Sequence, residues 1–158
     1  MNLKPMVDIA RERRGLCPGD VWLAADQPPG SHFRLREFLS PSGVAVVRSD
    51  LLRALEGLRA ALCEAAGEEV FIRISSGTRT QADQVRLAQR LGWTDEGGLV
   101  ARNSRHLPQY GGIAADLYAR TRSGRNIPQQ ELAAVCKKFF PFVKADYRDG
   151  HVHVDMRE

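Results

Sequence analysis

Cysteine is scarce in this chain and scattered. Cys17, Cys63 and Cys136 are odd in number and far apart, and no two of them form a CxxC pair. That argues against a disulfide framework and for reduced, partly buried thiols. A catalytic thiolate needs neighbours that stabilise its charge, and none stands near these three. Long apolar runs are missing too. No stretch approaches the roughly 20 residues of a membrane-spanning helix, so no membrane span is expected. Met1 to Arg14 is short and charged and lacks the apolar centre of a secretory leader. There is no internal repeat and no low-complexity segment. Dense basic runs are absent as well. Lys and Arg outnumber Asp and Glu by 23 to 19, for a net charge of +4. They are spread singly, with nothing denser than Arg11 to Arg14. The balance favours anionic surroundings, but solubility alone explains it, and no nucleic-acid partner is expected.

What is present belongs to a globular domain. Of the 158 residues 43% are apolar and 27% charged, enough for one domain with a real core and too few for two. The expected organisation is a single domain over 1–158. Residues 1–31 form an N-terminal extension, packed on the domain or partly flexible, with a turn-rich loop at Asp26–Ser31. Phe33 to Leu39 reads as a short helix or turn that plants Phe33 and Phe38 in the core. Ser49 or Asp50 can cap the next helix, where Leu51, Leu52, Leu55, Leu58, Ala61 and Leu62 recur at helical spacing and Gly67 ends the run. Val70 to Ser75 alternates as a strand and leads into the polar turn Ser75–Thr80. Gln81 to Leu91 reads as a helix with Val85, Leu87, Ala88 and Leu91 on its apolar side, and Thr94–Gly98 as a loop. A strand-like run from Ile113 to Tyr118 follows, then a turn at Thr121–Asn126. A helix opens near Pro128 and runs to about Phe139. Phe142 to Tyr147 reads as a strand, and Asp149-Gly150 as the turn into a final one. Helices first, then strands with helices between and a closing hairpin, give an α+β class with a small antiparallel sheet and flanking helices.

Histidine is rare, and its placement is informative. Two of the four histidines lie in Gly150-His151-Val152-His153-Val154-Asp155-Met156-Arg157. Strict alternation is the period of a strand with one buried face, so Val152, Val154 and Met156 point into a core. His151, His153, Asp155 and Arg157 then share the other face. Arg157 can pair with Asp155, and Asp155 can orient a histidine. His106 lies on a loop broken by Pro108 and Gly111-Gly112, ahead of the strand that carries Asp116. His32 stands alone in a loop and reads as a surface residue. Three histidines and one aspartate are thus candidates for one cluster. Two histidines with one aspartate are an ordinary ligand set for zinc, with a fourth position left to water.

Four segments in order, Ser76-Gly77-Thr78-Arg79, Ser104-Arg105-His106, Gly112-Ile113-Ala114-Ala115-Asp116 and His151-Val152-His153-Val154-Asp155, resemble the zinc D-alanyl-D-alanine metallopeptidases. That family has the Hedgehog/DD-peptidase fold and includes cell-wall carboxypeptidases and phage endolysins. The likeness runs from about Phe33 to Arg157. It implies zinc (Zn2+) held by His106, Asp116 and His153, a substrate-facing Arg79, and His151 as the polar group beside the metal. The implied substrate is a peptidoglycan peptide cut next to D-alanine, by a carboxypeptidase or an endopeptidase acting as a monomer. Such a substrate lies in the periplasm or cell wall. Two departures from the family pattern stand out. The segment between His106 and Gly112 is about three residues longer than usual and puts Gln109 where the histidine normally stands. The position three before His153, a carboxylate in some members, is Gly150; Asp149 is one residue further off, and His151 is the preferred base. A zinc domain of the same fold without turnover is the alternative.

Overall fold

In the computed structural model, residues 32–41, 45–90, 92, 104–107 and 110–158 are described. The expected extension over 1–31, with Cys17, lies outside them, as do Gln109 and the expected loop at 94–98. Among the described residues the chain is α+β, with three α-helices and one four-stranded antiparallel sheet.

A 3-10 turn at Leu35–Phe38 buries Phe38, with Phe33 buried just before it. Helix α1, Ser49–Ala66, follows the leucine spacing: Leu51, Leu52, Leu55, Leu58 and Leu62 are buried along one side. Each fully buried leucine contributes about 1.5–3 kcal/mol. The expected cap is corrected. Arg48 is the N-cap, and Asp50, inside the first turn, pairs with the Arg48 guanidinium at 2.6–2.7 Å and accepts from the Leu51 N–H at 2.9 Å. Gly67 takes a left-handed φ of 67° and ends the helix as expected.

Strand β1 (Val70–Ser76) pairs with β2 (Ala114–Thr121), β2 with β4 (Val152–Asp155), and β4 with β3 (Phe142–Lys144), every pair antiparallel. Helix α1 packs on β1 and β2, and helix α3 (Gln129–Cys136) on β2, β3 and β4. Both lie against one sheet face, which contributes Val70, Ile72, Leu117, Ala119, Val152 and Val154 to the core. Alternation sends Asp116, Tyr118, His153 and Asp155 to the opposite face. The two expected elements near the C-terminus are shorter than their sequence patterns. Strand β3 stops at Lys144 because Ala145 and Tyr147 turn their carbonyls to Gln130 and Gln129 of α3. Helix α3 stops at Cys136, and Pro128 is its N-cap.

Helix α2 (Gln81–Arg90) departs most from expectation. Its buried residues are Asp83 and Gln84, while Val85 is 40% exposed. Thr80 and Asp83 form a reciprocal cap: the Thr80 N–H donates to Asp83 Oδ2 at 2.9 Å, and the Asp83 N–H to Thr80 Oγ1 at 3.2 Å. The buried face of this helix is therefore polar.

Two free thiols fall where expected. Cys136 is buried, and its pKa is pushed up to about 12 by burial; Cys63 is partly buried.

The loop into β2 passes against Val46 and Val47. Gly112, at φ 78°, leaves no room for a side chain, because a Cβ would run into the Val46 carbonyl. Its own carbonyl accepts from Arg48 N–H at 2.9 Å. Gly112→Ala should therefore destabilise the chain by at least about 2 kcal/mol, read as a lower midpoint in urea denaturation. Gly124→Ala, with nothing within 4 Å of its Cβ, should cost less.

Candidate metal centre

Three segments deliver the site. Strands β2 and β4 pair with Asp116 opposite His153, so register alone brings these two together. His106 comes from the loop before β2. Leu107 is buried beside it, and the His106 carbonyl accepts from Arg79 N–H at 2.9 Å. Gly111 and Gly112 both take left-handed φ values, 81° and 78°, and turn the chain back into β2. His106 is thus placed in the cluster with Asp116 and His153. Among the described residues, His106, Asp116 and His153 form the one buried group of this kind able to hold a metal ion.

Hydrogen bonding fixes which atom each offers. The Gly77 carbonyl can only accept, so His106 Nδ1 carries a proton toward it at 2.5 Å and Nε2 keeps its lone pair. Asp155 Oδ2 accepts from His153 Nε2 at 2.8 Å, which leaves the His153 lone pair on Nδ1. Arg79 Nη2 donates to Asp116 Oδ2 at 2.9 Å, so Oδ1 is the oxygen turned to the histidines. His106 Nε2, His153 Nδ1 and Asp116 Oδ1 stand 2.9–3.1 Å from one another. Ligand atoms about 2.0–2.1 Å from a tetrahedral zinc stand about 3.3 Å apart. Three lone pairs at this spacing repel unless a cation or a proton is shared among them, so the donor set fits a metal.

A second ring of contacts holds the three ligands. Asp155 is fully buried and takes Arg157 Nε at 2.8 Å and Nη2 at 2.6 Å, and the Arg157 guanidinium lies over the Phe142 ring at 3.5 Å. The pairing of Arg157 with Asp155, and of Asp155 with a histidine, follows the sequence reading. Arg79 is more constrained than a freely substrate-facing residue. Besides Asp116 it reaches Ser76 Oγ through Nε at 2.9 Å and Gln84 Oε1 through Nη1 at 3.4 Å. A β-bulge between Ile74 and Ser76 sets this corner. The sequence does not single out Gln84, which is one of three glutamines in a short helix (with Gln81 and Gln89) and has no periodic signature.

His151 lies beside the triad and outside it. Its Nδ1 donates to Asp149 Oδ1 at 2.6 Å, its Nε2 faces Asp116 Oδ2 at 3.7 Å, and its ring stacks on Tyr147 at 3.9 Å. The two residues weighed as alternative bases thus form one carboxylate–imidazole pair. His32 is exposed and pairs with Glu56, away from the site.

The electrostatics follow from these contacts. Burial would raise Asp116, but His106 and His153 outweigh it and hold the carboxyl well below its usual range. Burial lowers His106. Burial pulls His153 the same way, yet hydrogen bonds to Asp116 and Asp155 win and raise it above 6.5. In the metal-free chain His153 therefore contributes stability that is full below about pH 6.5 and lost as pH rises through its raised value. His106 has the opposite sign and loses its contribution as pH falls below 6.5. Asp116 and Asp155 are both depressed, so their contribution is lost as pH falls below about 4. A metal must displace the His153 proton. Affinity measured against a competing chelator should climb about tenfold per pH unit until that pKa is passed, then level off.

Asp155→Asn should weaken metal binding by about 10–100-fold. The amide no longer holds His153 Nε2–H by charge, and Arg157 loses its partner. Chelator competition reads this loss directly, and unchanged affinity would mean that Asp155 does not orient the ligand.

Among the described residues, no helix is long and apolar enough to cross a membrane. No protein-family model matches the chain, and no curated protein sequence matches it significantly.

Proposed function

We propose that this chain is a zinc peptidase of the Hedgehog/DD-peptidase fold that hydrolyses peptidoglycan peptide bonds next to D-alanine, as a carboxypeptidase or an endopeptidase working as a monomer. The observation that carries the reading is the set of three converging lone pairs with the Asp149–His151 pair beside it. The ordered motifs that resemble the family narrow hydrolysis to this substrate class. Zinc in such a site acidifies water and polarises a carbonyl.

The chain's own groups supply the rest. Asp149 holds His151 Nδ1–H, so Nε2 is free to take a proton from the attacking water and return it to the leaving amine. Arg79 fixes Asp116 Oδ2, and its remaining N–H groups offer charge to a developing oxyanion or a terminal carboxylate. Tyr147 caps one face of the His151 ring and keeps it from swinging away.

A zinc domain without turnover is the second reading, favoured by the engagement of all three Arg79 nitrogens within the chain. The two part in one experiment. Zinc-loaded protein is incubated with purified peptidoglycan and with short peptides ending in D-Ala-D-Ala, and released amines are followed by mass spectrometry. Free D-alanine marks a carboxypeptidase, and cleavage of cross-bridged fragments alone marks an endopeptidase. Stoichiometric zinc with no cleavage of either supports the second reading.

A further inference from the structure

Beyond the metal centre, the same sheet face continues as a surface of guanidinium groups and aromatic rings. Alternation along β1 turns Phe71 and Arg73 away from the core, and alternation along β2 turns Tyr118 and Arg120 the same way. The register sets Phe71 opposite Arg120 and Arg73 opposite Tyr118, two guanidinium–aromatic pairs side by side. The Arg73 guanidinium lies 5.7 Å from the Tyr118 ring centre. Phe71 is 50% exposed, the most exposed large apolar side chain among the described residues. Among those residues no carboxylate lies within ion-pair distance of Arg73 or Arg120. Glu69 pairs with Arg59, Asp149 pairs with His151, and Glu68 accepts from the Ser123 hydroxyl.

This surface joins the site without a break. Tyr118 donates its hydroxyl to the Asp149 carbonyl at 3.3 Å, and its ring lies 6.4 Å from that of His151. Tyr118 and Arg120 follow Asp116 by two and four residues along one strand, a distance of about 7 and 13 Å at strand rise. That is the reach of two to four residues of an extended peptide.

We infer that Arg73, Arg120, Tyr118 and Phe71 form a docking shelf for an extended substrate segment that carries carboxylates two to four residues from the bond cut at the metal. The inference rests on the peptidase reading above and adds to it a preference outside the metal site. Guanidinium groups take carboxylates in paired hydrogen bonds, and the exposed Phe71 ring with the half-buried Tyr118 ring covers the apolar parts of the same segment. A nucleic acid is the poorer occupant. Two guanidiniums over about 13 Å cannot follow a phosphate backbone, which calls for a longer basic stripe.

The test uses the full zinc-loaded chain and two peptides of identical length ending in D-Ala-D-Ala. One carries two free carboxylates in the segment two to four residues upstream, and the other has both amidated. Amidation should raise KM about tenfold with little change in kcat, and the difference should shrink in 0.5 M salt. The Arg73→Gln/Arg120→Gln double variant should treat the two peptides alike. Fluorescence polarisation with the same labelled peptides on zinc-free protein reads the shelf without turnover. If neither peptide is cut, the carboxypeptidase form of the reading fails, and if purified peptidoglycan is not cut either, the peptidase reading fails as a whole, while salt-sensitive binding of the carboxylated peptide that the double variant loses still supports the shelf. Equal KM and equal binding of the two peptides would overturn it. So would tighter, Arg73- and Arg120-dependent binding of a single-stranded oligonucleotide of equal charge.

Discussion

Asp116→Ala should release the metal and loosen the fold together. The Asp116 carboxylate holds His106 Nε2, His153 Nδ1 and Arg79 Nη2 within 2.9–3.1 Å, and it is buried. Alanine removes one of three ligands, so metal affinity should fall by more than the roughly 100-fold that loss of an outer contact costs. It also leaves the Arg79 guanidinium, itself largely buried, without its counter-charge. Removing one partner of a buried ion pair costs about 3–5 kcal/mol. The two effects separate in Asp116→Asn, which keeps the shape and loses the charge. That variant should bind metal poorly yet retain more stability than the alanine variant. Chelator competition and urea denaturation of metal-free protein, run side by side, check both. Unchanged metal affinity in Asp116→Ala would remove Asp116 from the ligand set.

His151→Ala should show the opposite signature, with metal retained and hydrolysis lost. Neither ring nitrogen of His151 belongs to the triad, and Nε2 stands 3.7 Å from Asp116 Oδ2. A positioned general base is worth about 10²–10⁴ in rate, so kcat should fall by that factor at constant zinc content. The acid limb of kcat/KM against pH should change with it. Asp149→Ala should cost less than His151→Ala, because His151 keeps its stack on Tyr147 when its carboxylate partner is gone. Equal rates and an equal acid limb in wild type and His151→Ala would take His151 out of the mechanism.

The parts of this molecule that were legible in the sequence are those governed by period. Alternation in Gly150–Arg157 separates Val152 and Val154 from His153 and Asp155, and the structure places them on opposite faces of β4. The leucine spacing of α1 marks its buried side correctly. Polar scaffolding has no period, and there the sequence is silent or misleading. Helix α2 buries Asp83 and Gln84 because they cap its start and brace Arg79, while its apolar Val85 stays exposed. The turn residue Asp149 was weighed against His151 as a base, yet the turn brings its carboxylate onto His151 Nδ1. Arg79 reads as substrate-facing from its motif, but its side chain is first committed to Asp116. A cross-strand register, Asp116 opposite His153, decides the site, and register depends on the partner strand and so on the whole fold.

The most direct measurement is a zinc titration of the metal-stripped full chain near neutral pH, with bound metal counted by elemental analysis and the thermal midpoint followed throughout. The account predicts saturation at one zinc per chain, a rising midpoint as zinc is added, and loss of both in His106→Ala, Asp116→Ala and His153→Ala but not in His151→Ala. No saturable zinc, or full zinc and an unchanged midpoint shift in His153→Ala, would contradict it.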